Sequence, residues 1–171
     1  MASILNVDQI NNAAGTSAIT LNSNGVLSST AVLSVMYNSS SISIPDNSNT
    51  VIPLQTSSVD THSLYDSTND RLLISSDFNN SYFMISWSVM ITASDGDNMS
   101  GSLSKNGTGI QHDRKFYNGG EGESISMHGV WMGQVSTGDY FGLIGFCDKA
   151  SGTSSSVAGL GNTFLYAAKL F

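Results

Sequence analysis

Residues 82–92 read YFMISWSVMIT, and the fold turns on how that stretch is read. Apolar side chains recur at every second position. Phe83, Ile85, Trp87, Val89 and Ile91 fall on one face, with Tyr82, Met84, Ser86, Ser88, Met90 and Thr92 on the other. This period predicts a β-strand whose first face is core. The second face lacks the charges of a half-exposed strand; two Met, a Tyr and small hydroxyl residues suit a surface covered by a neighbouring subunit. Tyr82, Met84 and Met90 are the candidate contacts.

Working outward, the pattern recurs. Residues 124–132 alternate Ile125, Met127, Gly129 and Trp131 against Ser126, His128, Val130 and Met132. Residues 140–146 are apolar on both faces with Gly142 and Gly145 between, and residues 164–171 alternate Phe164, Tyr166, Ala168 and Leu170 against Leu165, Ala167, Lys169 and Phe171. No segment repeats apolar residues at helical spacing. Turn residues sit between the runs: Pro45-Asp46-Asn47, Asn69-Asp70, Asn106-Gly107 and Gly138-Asp139. The expectation is an all-β chain.

Composition narrows the function. Charged residues make up 11% of the chain, against about 25% in ordinary soluble proteins. The polarity comes from Ser, Asn, Thr and Gly, which suit turn-rich β structure. With a net charge of −7 and six scattered basic residues, nucleic-acid binding is not expected, because phosphate contact needs a clustered positive field. No apolar run approaches about 18 residues, so no membrane-inserted helix is expected. The N-terminus lacks the basic start and apolar core of a secretory signal, and for that reason the Asn-x-Ser/Thr sequons at Asn38, Asn79, Asn98 and Asn106 are discounted as glycosylation sites. Cys147 is the single cysteine and reads as a small buried hydrophobe.

In order, YDSTNDRLLI (65–74), NNSYFMISWSVMI (79–91), GSLSKNG (101–107), MGQVSTGDYFGLIGF (132–146) and TFLYAAKLF (163–171) resemble the strand series of the jelly-roll head shared by complement globular domains and tumour necrosis factor ligands. The resemblance covers roughly residues 37–171. It implies a jelly-roll β-sandwich, a homotrimer, and a last strand in the middle of a sheet. The chain departs from the family in lacking its cysteines and in the Gly- and Ser-rich stretch DKASGTSSSVAGLGN (148–162).

Residues 1–35 differ from the rest, so the division expected is an arm of 1–35 and a head of 36–171. Their short apolar bursts, among them Ile4, Val7, Ile10, Ile19 and Leu21, cannot bury themselves and suit a trimeric β stem or docking arm. NVDQINNAAGTSAITLNSNGVL (6–27) resembles the N-terminal segment of many structural proteins of tailed phages. Together the two resemblances imply a virion protein that is not an enzyme. The expected role is a trimeric knob, head fibre or capsid decoration docked to capsid or tail by the arm; its size favours capsid over tail. The alternative is a tail-fibre or receptor-binding tip recognising host-surface glycan or protein. An extracellular signalling ligand is disfavoured by the missing signal and disulfides.

Candidate sites are few. No nucleophile elbow or phosphate loop is present, and His62, His112 and His128 share no metal-ligand spacing. His112-Asp113 reads as part of a solvated loop. Asp95, Asp97 and Asn98 in SDGDNMS (94–100) are oxygen ligands of the kind calcium takes, but a polar hairpin tip is preferred, so no metal or cofactor is expected. The loop QHDRKFYNGGEGES (111–124) places Arg114, Lys115, Phe116 and Tyr117 together, the residue types that anchor binding surfaces; interior residues of a strand before a Gly-rich turn are the other reading.

Overall fold

The computed structural model describes residues 9–11, 17–20, 32–93, 97–118, 122–149 and 154–170, which fall in two compact units, Met1–Ala31 and Val32–Phe171. In the first unit β1 (Gln9–Asn11) and β2 (Ser17–Thr20) pair antiparallel, with Ile10 opposite Ile19. Ile4, Val7 and Leu21 of the expected docking arm lie outside the described residues.

The second unit starts at Val32 rather than at the expected residue 36, because β3 (Leu33–Tyr37) is a full member of a sheet. Short strands follow: β4 (Ser43–Ile44), β5 (Thr50–Ile52), β6 (Thr56–Asp60), β7 (Tyr65–Asp66) and β8 (Arg71–Leu73). After a 3-10 turn at Ser76–Phe78 come the long strands β9 (Tyr82–Ala93), β10 (Asn98–Lys105), β11 (Thr108–Phe116), β12 (Glu123–Gln134) and β13 (Tyr140–Asp148). The short β14 (Ser154–Ser155) and the closing β15 (Phe164–Lys169) complete the chain.

One sheet runs β12-β9-β15-β3-β6 and the other β11-β10-β13-β8-β7, with β5 also paired to β13. Every ladder between these strands is antiparallel. From β9 onward the chain crosses between sheets repeatedly, the Greek-key habit of a jelly roll. β15 lies between β9 and β3, so the C-terminal strand is central.

The alternation at β9 holds at every expected core position: Phe83, Ile85, Trp87, Val89 and Ile91 are all buried. They meet Met99 and Leu103 of β10 and Phe141, Leu143 and Cys147 of β13 in one core. Each large side chain sealed there stabilises the fold by roughly 1.5–3 kcal/mol relative to exposure. The sheets approach closely at Gly101, where a Cβ would stand 2.9 Å from Val89 Cβ and 3.0 Å from Met127 Cβ.

The turns carry the residues expected of them. Asn106 and Gly107 take φ 53° and 80° in the two-residue β10–β11 hairpin, and Gly138 takes φ 85° before β13. Asp66 orders the β7–β8 bend: its carboxylate accepts hydrogen bonds from the Thr68 and Asn69 amides, from Asn69 Nδ2 at 2.8 Å and from Arg71 Nε at 3.0 Å.

Candidate functional site

The outer face of the β12-β9-β15-β3-β6 sheet is built by strand register. One row across it is Val59, Val35, Tyr166, Ser86 and Val130. The next is Leu33, Ala168, Met84 and Met132, and a third is Tyr37, Phe164, Ser88 and His128. No Asp, Glu, Lys or Arg occupies any of these positions. Val130 is 50% and Met132 65% exposed, Val59, Tyr82 and Met84 are exposed, and Met90 is half-buried. The Phe164 and Tyr166 rings lie 4.5 Å apart, forming an aromatic ridge down the centre.

Tyr82, Met84 and Met90 therefore do lie on one face, as their alternation indicated. Val130, Met132, Phe164 and Tyr166 join them. The alternating runs at 124–132 and 164–171 carried that signal, and strand pairing supplies the missing link.

The opposite surface, on the second sheet, holds a groove. One depression of about 600 Å³ is lined by β5, β10, β11 and β13, and a second of about 470 Å³ continues it toward the far ends of β10 and β11, sharing Ser100, Arg114 and Phe146. Register sets its chemistry. Arg114, Ser100 and Phe146 stand side by side in one row; His112, Ser102, Ile144 and Val51 form the next. Ser102 Oγ and His112 Nδ1 are 2.6 Å apart, and the His112 ring lies over Gly109, where a Cβ would come within 2.7 Å of it. Among the described residues no carboxylate hydrogen-bonds that ring, so the pair lacks the orienting acid of a hydrolytic triad.

Two readings of this region need correction. Arg114, Lys115 and Phe116 belong to the edge strand β11 rather than to a loop, and His112-Asp113 lies in the same strand. Arg114 lines both depressions and Phe116 is 65% exposed, whereas Tyr117 is buried and donates its hydroxyl to Glu123 Oε2 at 2.6 Å. Asp97 and Asn98 do not make a polar tip together. Asp97 is fully buried and Asn98 exposed, since adjacent residues entering β10 point opposite ways. Asp95 lies outside the described residues, and among those described no group of three or more His, Cys, Asp or Glu could hold a metal ion.

Asp97 has a different neighbourhood. Cys147 is buried, and burial foremost pushes its thiol above the ordinary range; Ser154 works against this and the Asp97 carboxylate adds to it. A thiol so placed is a packing element, not a nucleophile.

No protein-family model and no curated protein sequence matches the chain. Solved structures do. Murine APRIL is similar with a TM-score of 0.61 and 12% identity over 82% of this chain and 100% of its own. Eiger TNF from S. frugiperda gives 0.60 and 9% identity over 82% of this chain and 93% of its own, and the globular domain of zebrafish complement 1qA gives 0.55 and 8% over 82% and 97%. At such identities the likeness is one of fold, and the fold is the jelly roll of the tumour necrosis factor and complement heads.

Proposed function

We propose that the chain is a non-enzymatic structural protein of a tailed-phage virion, a homotrimeric knob or head decoration whose arm, the residues ahead of Val32, docks to the particle. The observation that carries the assembly is the uncharged outer face of the β12-β9-β15-β3-β6 sheet. A contiguous apolar surface rimmed by polar residues marks an association site, and a chain with so few charges has little else to keep such a face solvated. Three copies, each laying this face against a different patch of the next, close a ring and bury it. The particle setting is supported by the likeness of NVDQINNAAGTSAITLNSNGVL to the N-terminal segments of phage structural proteins.

The alternative reading is a receptor-binding tip that recognises host-surface glycan or protein, favoured by the open groove on the opposite sheet. Immunogold labelling of intact particles tests the first reading: label on the head supports decoration, and its absence from the particle sinks the proposal. Label confined to the tail, together with purified protein that blocks host adsorption, favours the tip.

A further inference from the structure

The groove on the β11-β10-β13-β5 surface combines three kinds of group in a fixed order, and we infer that it binds a carboxylate-bearing saccharide. In the first row the Arg114 guanidinium, the Ser100 hydroxyl and the Phe146 ring stand on adjacent strands, about 10 Å from end to end at the ordinary strand spacing. The second row repeats the order with His112, Ser102 and Ile144, and β5 adds Val51, 71% exposed. A cation at one side, hydroxyls at the floor and apolar carbon at the other side match an acidic sugar: a carboxylate, ring hydroxyls, and a C–H face that packs on an aromatic ring.

The polar groups of the groove are available. Among the described residues Arg114 makes no ion pair and no hydrogen bond, although Arg71, Lys105 and Lys115 all pair with carboxylates. Its planar fork fits a carboxylate through two parallel hydrogen bonds. Ser100 is buried to 9% exposure and its hydroxyl has no partner among the described residues, which leaves it to a ligand. The His112 ring is fixed by Ser102 and seated over Gly109, so its other nitrogen is held in place without a protein partner among the described residues.

Charge supports the anion. The chain carries −7, yet no acidic residue lines the larger depression, where Arg114 is the one Lys or Arg; in the smaller, Asp148 is present and Lys115 is paired with Asp113 at 3.3 Å. An unpaired cation in a depression that no carboxylate lines selects an acidic ligand over a neutral one.

The groove lies on the opposite side of the sandwich from the uncharged face, so binding goes beyond the assembly proposed above and does not depend on where the knob sits on a particle. Three grooves in a trimer convert weak single contacts into avidity for a polysaccharide. The test is isothermal titration of the full chain with trigalacturonate and, separately, with neutral galactotriose, while light scattering reports the oligomeric mass of each sample. The acidic trisaccharide is expected to bind at least tenfold more tightly than the neutral one. Arg114→Gln is expected to lose at least tenfold of that affinity, and Lys169→Gln, on the other sheet, none. Because Arg114 makes no ion pair or hydrogen bond with a described residue, its variant is expected to keep the wild-type mass and melting temperature. Equal affinity for both sugars, no binding at millimolar concentration, or an Arg114→Gln variant that binds as well as wild type each overturns the inference, and none of these results touches the trimer.

Discussion

Asp139 shows how single residues tie this sandwich together. Its Oδ2 accepts from Lys105 Nζ at 2.7 Å and from the Ser136 amide at 2.8 Å, and its Oδ1 accepts from Asn106 Nδ2 at 2.8 Å. One carboxylate thus joins the β10–β11 hairpin to the turn before β13. Burial works to raise its pKa, but Lys105, Asn106 and the Ser136 amide outweigh burial and hold it below the ordinary 3.8. A depressed carboxylate contributes stability that is present above the unfolded value and lost as pH falls through the folded one. Asp139→Asn is therefore expected to cost about 1–2 kcal/mol at pH 7 and to draw closer to wild-type stability as pH falls below 3.8, as urea unfolding at neutral and at acid pH would show. A gap of equal size at both pH values contradicts this. Asp66, lowered first by its Asn69 hydrogen bond and then by Arg71 against the opposing effect of burial, adds to the same acid sensitivity.

At the scale of elements, the rim where β11 meets β12 explains why an edge strand reads poorly from sequence. Gln111 Nε2 donates to Val130 O at 2.9 Å, and Asp113 Oδ2 accepts from the His128 amide at 3.3 Å. Side chains of β11 thus cap backbone groups that β12 would leave open at the sheet edge. The same Gln111 takes the Trp87 indole N–H through Oε1 at 2.6 Å. Gln111→Leu leaves that buried donor unpaired and is expected to cost about 1–3 kcal/mol with the denaturant slope unchanged, measured by urea unfolding. Wild-type stability in the variant rules the capping role out. β9 was legible because one of its faces is wholly core, so period two appears undiluted in its residues. β11 has no such face: one side lines the groove and the other the rim, and Arg114-Lys115-Phe116 gives no alternation to read. Asp97 misled for a related reason, since its neighbours in sequence are polar while its side chain is turned inward beside Cys147.

For the whole molecule, the sandwich presents two unlike surfaces, an uncharged apolar one and a polar groove with a basic side. The first was half visible in the sequence, through Met84 and Met90 on the blank side of a core strand. Its extent was not, because Val59, Val35, Tyr166 and Val130 come from four stretches that only strand pairing brings into one row. The groove was invisible for the same reason: Val51, Ser100, Arg114 and Phe146 are far apart in the chain, and none is unusual alone. Assembly through the uncharged face is the central claim. The mass of the full chain in solution, by size-exclusion chromatography with light scattering, tests it most directly. The expected result is three times the 18.0 kDa chain mass, falling to the single-chain mass when Met84→Glu and Met132→Glu are combined. A wild-type chain that stays monomeric at micromolar concentration would contradict the account.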